Sequence, residues 1–195
     1  MDATTPSIGV LALQGGYAAH AAALADLGQP CREVRRPQAL DGLDGLIIPG
    51  GESTVLLRLL ESEDFFARLC TFARQHPVFG TCAGAILMAA RVLDPAQPSL
   101  GCLDVTVRRN AYGRQNDSVV QTGRTLLPGP DLEMVFIRAP RIESAGAEVE
   151  TLAWRDTSPV LVRQGSHLAA TFHPELGQDR RVHRLFLDMV AAHAS

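Results

Sequence analysis

Residues 78–87, VFGTCAGAIL, place two apolar residues ahead of a cluster of small ones, with one thiol, Cys82, at the centre. The apolar start reads as a short buried strand over 78–80. The alanine-rich continuation reads as a helix over 83–93. A strand that turns directly into a helix leaves little room at the corner, so Gly80, Ala83 and Gly84 are the residue types such a corner demands. Two readings of the thiol follow. A buried free cysteine fills space as a small hydrophobe. Alternatively the corner presents a nucleophile, in the manner of the GxSxG elbow with cysteine in place of serine. On the second reading, backbone N–H groups lie beside the sulfur, and the positive end of the helix favours the thiolate.

The neighbouring segments extend the same alternation. SIGVLAL (7–13) reads as a buried strand and YAAHAAALADLG (17–28) as a helix that Gly28 ends. DGLIIPGG (44–51) is another apolar strand running into glycines, and Ser53 is placed to cap a helix over 54–62. A helix over 63–75 and Pro77 lead into VFG. Short, wholly apolar strands alternating with helices are what a parallel sheet covered on both faces requires. The second half is richer in strands, at 103–109, 118–127, 132–140, 158–165 and 167–174. RVHRLFLDMVAAH (181–193) closes it as an amphipathic helix with Leu185, Phe186, Met189 and Val190 near one face. The expected fold is an open α/β sheet with an antiparallel addition, with ligands bound beyond the carboxyl ends of its parallel strands.

Bulk properties narrow the function. A chain of 195 residues that is 46% hydrophobic supports one sizeable core and one domain, residues 1–195. Its formal charge of −3, and basic pairs no longer than Arg35-Arg36 and Arg108-Arg109, leave no footprint for nucleic acid. No stretch approaches the roughly 20 apolar residues of a membrane span, and the first residues lack the basic start of an export signal. Cys31, Cys70, Cys82 and Cys102 are scattered, without CxxC or companion histidines at zinc spacing. A cytoplasmic protein with reduced thiols, without metal or cofactor, is expected.

Three loops carry candidate chemistry. GTCAG (80–84) holds the thiol. FHPEL (172–176) holds His173 and Glu175 on either side of Pro174, an arrangement that puts both side chains on one side of an extended segment. A surface ion pair would use the same residues. PGGES (49–53) offers Gly50 and Gly51, whose backbone can approach a ligand and direct N–H groups at a developing oxyanion. A turn followed by a helix cap at Ser53 explains the same letters. Together the loops contain a thiol, a base and an orienting acid, in the order Cys, His, Glu.

LALQGGYAAH (11–20), GLIIPGGEST (45–54), FGTCAG (79–84), RRNAYGRQNDS (108–118), VFIRAPRIE (135–143) and FHPEL together resemble the glutaminase subunits of pyridoxal phosphate synthase. These are class I, or triad, glutamine amidotransferases, and the resemblance runs from about Ile8 to the last helix. GTCAG and HPE mark the broad class. LQG, PGGEST, RNxYGRQxDS and FIRAP point to the vitamin B6 branch.

The resemblance implies a flavodoxin-like fold, hydrolysis of L-glutamine, and transfer of ammonia to a separate synthase subunit. It assigns Cys82 as nucleophile, His173 as general base and acid, and Glu175 as the residue orienting His173. It assigns Gly50, Gly51, Glu52, Arg109, Ile137 and Arg138 to glutamine binding, and sets Gln14 near the site on the side facing the synthase. Taken singly, the two arginines would be solvated strand-end charges. Two departures from the family pattern are Val119-Val120 after GRQNDS and Arg141 within RAPRIE. Two other readings stand at this level. One keeps the triad but changes the partner, as in the glutaminase of histidine biosynthesis; the other is a non-catalytic scaffold in which Cys82 is filler.

Overall fold

Three short apolar runs, 8–11, 45–48 and 78–81, lie inside the main sheet, and a more polar one, 31–34, forms its edge. The computed structural model describes residues 5–61, 64–109 and 118–194. Strands β1 (Ile8–Leu11), β2 (Cys31–Val34), β3 (Gly45–Ile48) and β4 (Val78–Thr81) are parallel neighbours in the order β2-β1-β3-β4. Strand β12 (His167–Ala170) adds in parallel to β4, with Ala170 opposite Thr81. Beyond it, β11 (Ser158–Gln164) and β10 (Glu150–Arg155) run antiparallel. The five parallel strands thus have the 2-1-3-4-5 order of the flavodoxin-like fold, and the antiparallel addition lies on the β12 edge.

Alternation along the strands explains why both faces are covered. Ile47, Phe79 and Leu168 point to one side, into a core with Leu24 of α1 (Tyr17–Asp26) and with Val182, Phe186 and Val190 of α5 (Arg181–His193). Leu46, Ile48, Val78 and Ala169 point to the other, against α2 (Ser53–Leu60), α3 (Phe65–Gln75) and α4 (Ala83–Met88). The first core is extended by the hairpin of β7 (Ser118–Gly123) and β8 (Leu132–Ile137). The second is extended by a small sheet of β5 (Ala89–Leu93), β6 (Leu103–Arg108) and β9 (Arg141–Ala145).

Several local expectations change. The helix after Cys82 ends at Met88, and residues 89–93 form a strand parallel to β6. All six residues of α4 are buried, so it has no solvent face to continue, and the pairing with β6 takes over. Strands β2, β9 and β10 and a 3-10 turn at Pro37–Leu40 escape a reading by apolar run, because their exposed residues dilute the pattern. The strand expected over 118–127 stops at Gly123. Ser53 is the first residue of α2 and not its cap. The cap is Glu52, whose carboxylate accepts from Thr54 N–H at 3.2 Å, while the Ser53 hydroxyl donates to Gln97 Oε1. In α5 the fully covered stripe is Val182, Phe186 and Val190, with Leu185 and Met189 half-buried beside it. Gly28 does follow the end of α1, at φ +73, with its N–H on Ala25 O.

Candidate active site

Cys82 sits at the carboxyl end of β4, the central strand between β3 and β12, as the first residue after the sheet. It takes φ +48, which for a residue with a Cβ is strained and persists only where the surroundings enforce it. Here the enforcement is visible. The Cys82 N–H donates to Ala170 O at 2.9 Å, and Cys82 O accepts from Ile86 N–H at 3.1 Å. The small neighbours are sterically required. A Cβ on Gly80 would stand 2.6 Å from the backbone of Gly84, and one on Gly84 would overlap the carbonyl of Ile48.

His173 and Glu175 follow β12, which pairs with β4, so the strand pairing itself brings them beside the thiol. The segment is a turn and not the extended stretch expected: Leu176 N–H donates to His173 O at 3.2 Å, with Pro174 in the second position that its fixed φ suits. His173 Nδ1 is 2.7 Å from Glu175 Oε1. The ring also hydrogen-bonds the Cys82 thiol. Cys82, His173 and Glu175 are 6%, 8% and 5% exposed, so the three groups interact in a largely water-free environment. Burial opposes a charge on His173, yet the hydrogen bonds and charges of Cys82 and Glu175 outweigh it and raise the imidazole to about 10. Burial likewise opposes the charge on Glu175, but the hydrogen bond from His173 and the proximity of His20 and His173 hold its carboxyl below the usual range.

The PGGES loop closes over this corner. A Cβ on Gly50 would collide with the His173 ring and stand 3.1 Å from Cys82 Cβ, so only glycine fits. Gly50 O accepts from Gly16 N–H at 3.1 Å, and Gln14 Oε1 accepts from Glu52 N–H at 3.1 Å. The loop after β1 therefore fixes the backbone of the loop after β3.

Gly51, Glu52, Ser53, Cys82, Arg109, Ile137, Arg138 and His173 line one cleft of about 100 Å³. That volume suits a molecule of amino-acid size and lies below the roughly 300–1,000 Å³ of drug-sized pockets. Arg109, which continues β6, is 8% exposed; its Nη2 lies 3.3 Å from Glu52 Oε1, and its buried Nη1 has no partner among the described residues. Burial would raise the Glu52 carboxyl, but Thr54, Arg109 and Arg138 hold it low, so the cleft wall carries a carboxylate beside two guanidinium groups. Ile137 contributes its carbonyl, 3.8 Å from Cys82 Sγ, and Arg138 follows it in the left-handed region at φ +43. All nine predicted site residues thus lie at this end of the sheet, eight of them on the cleft or in the buried network and Gly50 against His173. Residues 110–117, within RRNAYGRQNDS, lie outside the described residues.

Sequence reasoning missed Gly15 and Gly16, where added Cβ atoms would meet Gly50 O and Glu175 Oε1, and it missed His20, Thr81 and His183 behind the triad. The signal for the histidines was available in principle: each is a polar residue inside an otherwise apolar helix stripe.

The same architecture occurs in known proteins. A solved structure described as a glutamine amidotransferase superposes with a TM-score of 0.88 at 44% identity, covering 94% of this chain and 98% of that one. PurLQS from Thermotoga maritima shares the fold alone, with a TM-score of 0.69 at 15% identity over 95% of this chain and 99% of that one. The pyridoxal 5'-phosphate synthase subunit PdxT of Koribacter versatilis is 57% identical over 183 residues, 94% of this chain and 95% of that protein. The protein of the same name from Thermotoga maritima is 49% identical over 185 residues, 94% and 98% of the two chains. The profile of one family spans residues 10–192, from β1 to the end of α5, and so takes in every loop that builds the cleft: the chain belongs to the SNO glutamine amidotransferase family.

Proposed function

We propose that the chain is the glutaminase subunit of a pyridoxal 5'-phosphate synthase, acting as one domain in the cytoplasm to convert L-glutamine to L-glutamate and ammonia for a separate synthase subunit. One observation carries the reading most: the hydrogen-bonded series of thiol, imidazole and carboxylate opens on a small cleft where a buried guanidinium nitrogen has no partner among the described residues. A substrate carboxylate supplies that partner, and Glu52 on the same wall supplies one for an α-ammonium group. The names of the relatives at 57% and 49% identity favour the vitamin B6 branch over the glutaminase of histidine biosynthesis. Four unpaired cysteines agree with a reducing compartment, and among the described residues no helix is long and apolar enough to cross a membrane.

The chemistry follows from the proton positions. His173 takes the proton of Cys82 as the sulfur attacks the side-chain amide carbon of glutamine. The oxyanion forms between the backbone of Gly51 and the N–H of Ala83, which lies in the first turn of α4 and so has no intrahelical acceptor. His173 then gives its proton to the departing ammonia, and the γ-glutamyl thioester remains on Cys82. A water molecule deprotonated by His173 attacks the thioester carbon, releasing glutamate and returning the His173 proton to the sulfur. Glu175 keeps the ring oriented in both steps.

The deciding experiment measures glutamate release by wild type and Cys82→Ala, with and without the synthase subunit. Activity that appears with the synthase and vanishes in the variant is expected. Full activity in Cys82→Ala overturns the mechanism, and wild-type activity that the synthase neither raises nor captures overturns the assignment of partner.

A further inference from the structure

Behind the triad lies a second set of polar side chains that the reaction as described does not use. His20 of α1 and His183 of α5 are 163 residues apart in sequence, both 0% exposed, and both packed edge-on to Phe79 of β4 at ring distances of 6.0 and 5.8 Å. Burying two imidazoles against phenylalanine costs free energy that two leucines would not. Their contacts point to a reason. His20 Nδ1 lies 3.0 Å from His183 Nε2, and His20 Nε2 lies 3.0 Å from Thr81 Oγ1 and 3.4 Å from Glu175 Oε2. Among the described residues Glu175 Oε2 is buried without a hydrogen-bond partner, with His20 Nε2 within ion-pair distance of it, whereas Oε1 is engaged with His173.

The proton positions can be worked out from donors and acceptors. Burial pushes His20 down to about 4, against the opposing charge of Glu175, and pushes His183 down to about 3; both rings are neutral at pH 7. A neutral imidazole has one donor and one acceptor. Glu175 is ionised and only accepts, so the His20 proton belongs on Nε2, the atom facing the carboxylate. His20 Nδ1 is then an acceptor, and its donor is His183 Nε2–H. That leaves His183 Nδ1 bare, in agreement with its burial without a partner among the described residues.

We infer that His20 and His183 form a positioning relay: His183 fixes the tautomer of His20, which keeps its N–H turned toward the side of Glu175 Oε2 and so favours the carboxylate orientation in which Oε1 stays on His173. Thr81, the residue before Cys82, shares the same His20 proton and ties the relay to the corner that carries the thiol. The inference rests on the reading of Glu175 as the residue that orients His173.

Ring 15N NMR of the full wild-type chain tests the tautomers without turnover. Neutral Nε2–H rings at both His20 and His183 are expected; a His20 proton on Nδ1 overturns the relay. Kinetics with the synthase subunit present test its consequence. His20→Ala and His183→Ala should lower kcat roughly 10- to 100-fold, the scale of a sub-ångström misalignment, while KM for glutamine changes less than about twofold. His183→Gln, whose amide N–H can occupy the Nε2 position, should recover most of kcat. Unchanged kcat in the alanine variants, or equal loss in alanine and glutamine variants with the His173 ring signals unmoved, overturns the inference. A wild type inactive even with the synthase instead refutes the glutaminase reading, and the wild-type tautomers still decide the relay.

Discussion

Glu175 Oε1 meets His173 Nδ1 at 2.7 Å although a single proline separates the two residues, because 173–176 is a turn that folds the carboxylate back under the ring. Since Glu175 is 5% exposed and held ionised, it fixes the ring by both charge and hydrogen bond. Glu175→Gln is expected to lower glutaminase kcat by on the order of 10²- to 10⁴-fold, as loss of the orienting acid does in other triads. Steady-state kinetics should place the loss in kcat, with KM for glutamine little changed.

The four thiols should separate in reactivity. Burial pushes the Cys102 thiol up to about 12, and burial also raises Cys31 and Cys70, whereas Cys82 hydrogen-bonds the His173 imidazole, the base of the proposed triad. A glutamine-like electrophile at pH 7 should label Cys82 first. Peptide mass spectrometry over a time course checks the order, and labelling of Cys31 or Cys70 ahead of Cys82 contradicts it.

Arg109 has a buried Nη1 without a partner among the described residues, so its removal should be felt in substrate binding. Arg109→Gln should raise KM for glutamine by roughly 10- to 100-fold, the equivalent of one hydrogen bond to a charged group. An unchanged KM would place the α-carboxylate elsewhere in the cleft.

Stability should fall on both sides of about pH 6.5, the ordinary histidine value. His173 is raised in the fold, so its contribution is full below 6.5 and is lost as pH rises toward about 10. His20 and His183 are depressed, so theirs is full above 6.5 and is lost as pH falls toward about 4 and about 3. Between 6.5 and 4 the unfolded chain binds up to two more protons at these sites, a slope of about 1.4 kcal/mol per pH unit for each. Urea midpoints from pH 8 to 4.5 measure both limbs, and His183→Gln should flatten the acid limb alone.

Gly84 leaves no space for a Cβ against the carbonyl of Ile48, which belongs to the neighbouring strand β3. Gly84→Ala should destabilise by about 1–3 kcal/mol through forced separation of α4 from the sheet. Thermal melts measure the loss, and accelerated alkylation of Cys82 reports loosening of the corner.

How much could be read in advance differs between parts of the chain. Apolar runs at 8–11, 45–48 and 78–81 carried the parallel sheet, because strands buried on both faces contain little else. Strand β2, with burial only at Val34 and partly at Cys31, carries no such run, and it was found only by its pairing with β1. Glu52 was legible as a ligand-side residue but not as the cap of α2, since glutamate is a weak cap by propensity and is held there by Thr54 and Arg109 together.

By itself the sequence determined the alternation of strand and helix, the tight corner at Cys82, and the residue types of a thiol, a base and an acid. These are local properties, set by periodicity, by steric room and by side-chain chemistry. Only the tertiary structure decided that β12 lies beside β4, which places His173 against Cys82, and that α1 and α5 meet behind the sheet, which places His20 between His183 and Glu175. Such distances depend on the pairing of strands and the packing of helices far apart in the chain, and no spacing along the sequence encodes them.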